Sequence, residues 1–432
     1  MVDSPFTSSL LSGLSTGASG ASWFDRLRSS ALERANSVSL PTTRDEEWRF
    51  TDLAPLTRMS FQPAVEAAAI VEESAAAAFL PEAQARIVFV DGILDRGLSQ
   101  FPHQAGMRVL DLRQALKEAA GVLESALGQL AQSDANLFVA LNTAYLREAV
   151  VIVVDADHAI EAPVHVLHLA TKRGQPHAVY PRTLLCADRG SRSVLVEDFV
   201  AIDAAAYLSA PVTEVVMAQE ASVSHVRVQR EAAEAFQLGT CSVRQAPSSR
   251  YELVNVALGG RISRLDLDVV LDGPACETRI DGLTLIGARQ LADLHSRVDH
   301  AHPQGKLRQV YKSVVGGAAH AVFNGKILVR EGAQQTDAGQ SCRGLLLSDR
   351  ARIDAKPQLE IFADDVKCAH GAAIGQLDPE ELFYLQSRGL SVDRARNLLT
   401  YAFAAEVIER IPVPSLRKKL ERTVLERTQE AT

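Results

Sequence analysis

Tyr251-Glu-Leu-Val-Asn-Val-Ala257, Leu265-Asp-Leu-Asp-Val-Val-Leu271 and Thr278-Arg-Ile-Asp-Gly-Leu-Thr-Leu-Ile286 decide the fold. Each is short and rich in apolar and β-branched residues, and Gly, Asp, Asn or Pro lies between them. Working outward, similar pieces occupy 150–154, 164–169, 193–199, 212–217, 223–229, 238–243, 307–315, 326–330, 344–347, 359–362 and 366–370. They recur every roughly ten to twenty residues, with turn residues between them. Crossover helices are mostly missing, so a βαβ sheet fits poorly. Two all-β solutions remain, stacked sandwiches or a β-solenoid. Length favours the solenoid, because such a body grows without thickening its core. Aromatic residues make up only 5% of the chain, which suits thin layers of Val, Leu, Ile and Ala. No fixed sequence period is legible.

Helical signals flank this body. Residues 1–20 are rich in Ser, Thr and Gly and are expected to be loose. Trp23, Phe24, Leu27, Leu32 and Ala35 approach helical spacing over 21–39, and Pro41 closes that segment. The polar run 44–53 reads as a packed linker anchored by Trp48. A strand is expected at 86–90, ending in the turn Asp91-Gly92. One helix is expected over 111–131, with Leu112, Leu116, Leu123, Leu127 and Leu130 on its apolar face, and another over 136–146. Near the end, Asp378 suits an N-cap, Pro379 the first helical position, Glu381 a capping box and Gly389 the stop. A second helix from Ser391 carries Leu398, Leu399, Ala402, Phe403 and Val407. Pro412 and Pro414 break it, and 415–429 suit a last, charged helix. These signals divide the chain into a mostly helical 1–148, a β-body 149–375 and a helical module 376–432.

Composition excludes several classes. The net charge of −8 argues against a broad nucleic-acid surface, which needs concentrated Lys and Arg. No apolar window is long enough to span a membrane, and the opening residues do not resemble a secretory signal. The five cysteines are scattered and lack CxxC spacing, which fits free thiols in a reducing, cytoplasmic compartment. Gly259-Gly260 and Gly316-Gly317 lack the Lys-Ser/Thr of a phosphate loop, and neither GxSxG nor HExxH occurs. Nucleotide hydrolysis by this chain is not expected.

Three constellations remain. In Ala363-Asp-Asp-Val-Lys-Cys-Ala-His-Gly371, Cys368 and His370 stand two residues apart, so an extended strand sends both side chains to one face. A thiolate and an imidazole are soft-metal ligands, but an iron–sulfur cluster normally takes four. This site is therefore unfinished or structural. Lys367 lies on the opposite face, while Asp364 and Asp365 form a turn or orient the imidazole. The second constellation is Asp293-Leu-His-Ser-Arg-Val-Asp-His-Ala-His302. His300 and His302 share a face if extended, near Asp299, which reads as a zinc or iron site or as a strand-and-corner network. The third is the polar run 324–343, in which Asp337 and Asp349 are an acid–base candidate for a carbohydrate-active β-helix. Cys342, flanked by polar residues, is expected to be semi-exposed. Cys186, Cys241 and Cys276 are expected in the core.

Longer stretches carry a resemblance. Val322-Phe-Asn-Gly-Lys326, Gln335-Thr-Asp337, Leu345-Leu-Leu-Ser-Asp349, Lys356-Pro-Gln-Leu-Glu360 and Ala363–Gly371 resemble the SufB/SufD family of the SUF iron–sulfur cluster assembly system, on its SufD side. So do Asp378-Pro-Glu-Glu381, Ser387-Arg-Gly-Leu390, and Glu47-Trp48-Arg49 with Thr51 and Leu53. The resemblance implies a right-handed parallel β-helix between helical regions. It implies a non-catalytic scaffold that pairs with a SufB-like paralogue and docks a SufC-like ABC ATPase. It places a nascent iron–sulfur cluster at the SufB–SufD interface, with His370 as the functional histidine and Cys368 second. It places ATPase docking on the module carrying Pro379, Glu380, Leu382, Phe383, Leu385, Arg388 and Gly389. Reduced flavin is associated with such complexes, without contact residues that can be placed here. No cofactor is expected on the isolated chain, for which self-dimerisation is an alternative assembly. The competing readings are a stand-alone carbohydrate-active β-helix and a purely structural partner.

Overall fold

The computed structural model describes residues 5–12, 19–68, 70, 72–102, 105–134 and 136–430. The body is a right-handed parallel β-helix of eight coils, each giving one strand to each of two sheets. One sheet stacks Val150–Val154, Arg182–Ala187, Val212–Met217, Phe236–Gln245, Ile262–Leu271, Leu291–His300, His320–Val329 and Arg352–Ile361. The other stacks Val164–Ala170, Arg192–Ala201, Ser222–Arg230, Arg250–Ala257, Glu277–Ile286, Lys306–Val315, Asp337–Leu346 and Lys367–Gly375.

The later coils keep a near-constant period. Ile262 pairs with Leu291 and Leu291 with His320, 29 residues apart each time; the next step, to Arg352, is 32. In the other sheet Glu277, Lys306, Asp337 and Lys367 are separated by 29, 31 and 30 residues. Corners are set by single residues in the left-handed region. Ser248, Ala275 and Gln304 have φ near 60° and each follows a proline: Pro247, Pro274 and Pro303. Each of their amides donates to the next corner: Ser248 N to Pro274 O at 2.9 Å, Ala275 N to Pro303 O at 3.1 Å.

Inside the coils lies an apolar core of Leu195, Val215, Val243, Leu253, Leu267, Ile280, Leu294, Leu307, Phe323 and Ile327. Three strands from outside the body close its first end. Ala85–Val90 pairs parallel with the first coil and turns through Asp91-Gly92, both at positive φ, into antiparallel Ile93–Gln100. Met107–Asp111 pairs antiparallel with Val150–Val154. At the far end the sheets stop at Arg352–Ile361 and Lys367–Gly375, with no described residue stacked beyond them.

Helices cover the outer faces. Ser22–Ser37 and Leu137–Ala144 lie with the first sheet, and Phe24, Leu123 and Leu184 share one cluster. Val392–Ile408 and Pro414–Glu430 lie on the second, where Ala404, Val407, Ile408, Leu416 and Val424 meet Val228, Val256, Leu285 and Val314.

Several expectations need correction. Pro5–Leu11 is helical and buries Phe6 and Leu10, so this part of 1–20 is ordered; 1–4 and 13–18 lie outside the described residues. The single helix over 111–131 is two, Leu112–Glu118 and Ala120–Ala126, because Ala119 leaves helical geometry at φ −136°. Asp378 caps through the amide of Glu380 at 2.8 Å, one residue before the position a box with Glu381 needs. In Val392–Ile408 the buried stripe runs through Ala395, Thr400, Ala404, Val407 and Ile408, leaving Leu398 and Ala402 exposed. Strands at 177–179, 182–187, 207–209 and 291–300 were not foreseen.

Candidate functional site

Lys367–Gly375 is the last strand of its sheet and pairs only with Asp337–Leu346. In that pairing Cys368 lies beside Ala338, His370 beside Gln340 and Ala372 beside Cys342. Ala338, Gln340 and Cys342 are buried, whereas Asp337, Gly339 and Ser341 between them are not, so the former point into the lumen. Parallel pairing keeps residues in register on one side of the sheet. Cys368 and His370 therefore share the lumen side, as their spacing implies. Cys368 is half-buried against the lumen core and His370 is exposed. Burial pushes the Cys368 thiol up; it is not a pre-formed thiolate. Ile361, Phe362 and Ile374, all exposed, surround this open end.

The lumen below is polar at one level. Gln340 Nε2 donates to Gln309 Oε1 at 2.8 Å, and Gln309 Nε2 donates to Ser296 Oγ at 2.8 Å. Gln340 Oε1 is buried without a partner. Across the lumen, a Cβ at Gly325 would stand 2.2 Å from Gln340 Nε2, so only glycine leaves room for the amide.

A second polar site, missed by sequence reading, joins the segment 44–53 to the outer face of the first sheet. His295 Nδ1 lies 3.2 Å from Glu47 Oε2, and its Nε2 lies 3.2 Å from Asp293 Oδ1. Asp293 is buried and also accepts from Arg264 Nη1 (2.7 Å) and Thr51 Oγ1 (2.5 Å). Arg264 donates to the Glu47 carbonyl and stacks on the Trp48 ring at 3.8 Å. Trp48 thus anchors the linker as expected, also touching Phe138. Burial alone would lower the pKa of His295, but the two carboxylates outweigh it and raise it. Burial alone would likewise raise Asp293; Arg264 and the other partners hold it below its ordinary value. A cleft of about 350 Å³ opens beside this seam, lined by Trp48, Asp266, His295, Arg297, Asn324 and Lys326.

The other candidates do not assemble into sites. His300 is buried, with burial lowering its pKa to about 4, whereas His302 is exposed near Asp272 at 3.5 Å. They do not share a face, because the strand ends at His300. Among the described residues no group of three or more His, Cys, Asp or Glu is placed to hold a metal ion. Asp337 begins its strand and is held by Arg308 at 2.7 Å, while Asp349 lies beyond the strand's other end. The proposed acid–base pair is thus not formed. Cys342 is fully buried rather than semi-exposed, and burial pushes its thiol up to about 12. Cys241 and Cys276 are buried as expected; Cys186 is only partly so.

The helix Pro379–Ser387, which contains Pro379, Glu380, Leu382, Phe383 and Leu385, has no buried residue. Phe383 is 73% exposed, and Arg388 lies over the ring of Tyr384. Gly389 ends the helix at φ 93°. With Val392 and Leu398, these residues leave an apolar stripe uncovered on the module. No described helix is long and apolar enough to cross a membrane.

The chain is thus a parallel β-helix with an open last coil and flanking helices, and comparison with known proteins places it. Residues 168–403 match the core domain of the SUF system iron–sulfur cluster assembly SufBD family, and 16–166 match the SufBD N-terminal region. The chain belongs to this family. It is 37% identical to an iron–sulfur cluster assembly SufBD family protein of Synechocystis, over 93% of this chain and 90% of that one. It is 33% identical to the chloroplastic protein ABCI7 of Arabidopsis thaliana, covering 95% and 87%. It is 28% identical to the assembly protein SufD of Escherichia coli, covering 90% and 89%. Family membership supports a general scaffold role in cluster assembly.

Proposed function

We propose that this chain is the SufD-type, non-ATPase scaffold of a cluster assembly complex. In this reading it pairs through its open last coil with a SufB-like paralogue and docks a SufC-like ABC ATPase on its C-terminal module. A nascent iron–sulfur cluster, the cargo of the reaction, is built at the joint and passed on. The residues divide accordingly, with 1–148 closing the first end of the β-helix, 149–375 forming it and 376–432 receiving the ATPase.

The observation that carries this reading is the placement of Cys368 and His370 on the lumen side of an edge strand whose outer side is unpaired. An edge offers unpaired backbone groups and invites another strand. Such a partner would bring the ligands that two residues alone lack. His370 would bind or position iron as a neutral imidazole; Cys368 would need its proton removed first. Exposed Ile361, Phe362 and Ile374 suit burial against the same partner.

The ATPase half rests on Pro379–Ser387, which buries nothing within this chain, and on Phe383, Tyr384, Val392 and Leu398. Val392–Ile408 ties this module to the β-helix. Lys312, buried in the second sheet, reaches Glu406 at 2.5 Å and the Phe403 carbonyl at 2.9 Å. Movement of an attached ATPase would thus reach the coils directly.

The test is His370→Ala in the assembled complex. Cluster formation should be lost while the subunits still co-purify; unchanged cluster yield would remove His370 from the site. Deleting 379–432 should abolish co-purification with the ATPase, and its retention would place docking elsewhere.

A further inference from the structure

We propose that Gln340 is a positioning residue for His370. Its side-chain carbonyl accepts a ring N–H of that imidazole and so fixes which nitrogen remains free for the iron–sulfur cargo. The inference rests on the proposed role of His370 and deepens it.

Three observations converge. His370 is the register neighbour of Gln340 one coil on, on the same lumen side. Neighbouring parallel strands stand about 4.8 Å apart, so the two side chains stack; no bond joins them in this structure, and rotation of the exposed ring would bring an N–H to the amide oxygen. The amide of Gln340 is not free to turn away. Its Nε2 is engaged by Gln309, which is itself engaged by Ser296, and all three are buried. That leaves Oε1 as a buried acceptor with no partner, a costly state unless something completes it. His370 is the polar residue that follows it in the column.

Gly325 explains why the amide sits there. A side chain at this position would collide with Gln340 Nε2 at 2.2 Å and with the Phe323 ring at 2.6 Å. Glycine weakens a strand interior and is found where another group approaches closely. Here the approaching group is the carboxamide from the opposite sheet. The Asn324-Gly325-Lys326 motif and the His370 motif, separated by more than a coil of sequence, thus meet through Gln340.

The chemistry follows from imidazole itself. A neutral ring has one N–H and one lone pair, and the hydrogen bond made by one nitrogen decides which lone pair is presented. Without Gln340, both tautomers are populated, the ring turns freely at an exposed edge, and the lone pair is misdirected for part of the time.

The experiment uses the full chain with ¹⁵N-labelled histidine, at mildly alkaline pH where imidazole is neutral. His370→Ala assigns the signal. Wild-type protein should show one tautomer at His370, and Gln340→Leu should show the mixture typical of free imidazole. In the complex assembled with its SufB- and SufC-type partners, Gln340→Leu should lower cluster yield about tenfold or more, the scale seen when such a supporting partner is removed. A tautomer mixture at His370 in the wild-type chain overturns the inference without any variant, so a Gln340→Leu protein that failed to fold would not shield it. An unchanged cluster yield in folded Gln340→Leu also overturns it. The underlying reading fails separately: if His370→Ala leaves cluster yield unchanged, His370 is not at the site, whatever its tautomer.

Discussion

His225 and His370 occupy the same lumen column, running Leu195, His225, Leu253, Ile280, Gln309, Gln340, His370 through successive coils. They share a residue type and a side of the sheet, yet their surroundings are opposite. His225 is sealed by coils on both sides. Its Nε2 meets Glu197 at 3.1 Å and its Nδ1 meets the Tyr251 hydroxyl at 2.9 Å. Glu197 is further satisfied by the hydroxyls of Thr183 and Thr213. Burial alone would raise Glu197, but His225 and its neighbours bring it down to about 2. His370 has a coil on one side and none on the other. What separates a structural histidine from a candidate ligand in this fold is therefore closure by the next coil. The same holds for cysteine, with Cys342 sealed and Cys368 half-open.

The contrast breaks hardest at the sealed end. Glu197→Ala removes the carboxylate that holds His225, Thr183 and Thr213, with Arg227 also buried nearby. Breaking a buried ionic network from one side costs about 3–5 kcal/mol. Urea unfolding of the full chain should show a loss of that size, and a loss under 1 kcal/mol would mean the network is not the brace described here.

Acid should act on the same end. His165 and His168 are buried, and burial lowers both to about 4 from an ordinary 6.5. The unfolded chain then binds more protons between those values, so stability falls as pH drops from about 6.5 towards 4. Each group is worth roughly 3 kcal/mol over that span. His168 stacks between Phe89 and Phe199, so His168→Phe should keep the packing and flatten the slope by about one proton. An unchanged slope in that variant would show that His168 is not the titrating group.

These contrasts also mark where the sequence is readable. The β-solenoid class was legible because short strands alternating with turn residues persist from 150 onward, without a count of its coils. The period was not, because coil length varies between turns and the lumen columns mix apolar residues with His and Gln. The corner prolines Pro247, Pro274 and Pro303, each before a residue at positive φ, are the local mark of that period. Cys342 was misplaced because Gly339, Ser341 and Arg343 face outward on alternate positions while Gln340, polar but inward, disguised the alternation. The pair Cys368 and His370 could be placed on one face from spacing alone. The seam of Glu47 with His295 could not, since nothing local links residues 248 positions apart.

That seam is the intermediate case, a polar site closed by a separate segment instead of another coil. Thr51→Val would leave the buried Asp293 carboxylate without one of its donors while preserving shape. Hydrogen bonds to charged groups contribute about 1.5–3 kcal/mol, and a loss in that range is expected from denaturant unfolding. His295 adds a pH signature of the opposite sign to the sealed histidines. Its pKa is raised, so its contribution is complete below about 6.5 and is lost as pH rises through the folded value. Of the two tryptophans, Trp48 lies on this seam, and in a Trp23→Phe background its fluorescence should report loosening on the alkaline side. A response confined to the acid side would contradict the placement of His295 between two carboxylates.

The smallest effect on folding should come from His370→Ala. This side chain is exposed on an edge strand whose residues bury little within the chain. Beyond that, it gives up only the one hydrogen bond proposed to Gln340, worth about 0.5–1.5 kcal/mol. The unfolding midpoint should therefore fall only slightly, against the large loss in Glu197→Ala. A large loss would show that the imidazole is held as firmly as His225, and closure by the next coil would then not be what distinguishes them. A loss this small leaves the residue with little structural reason to be there, so a role in assembly must explain it.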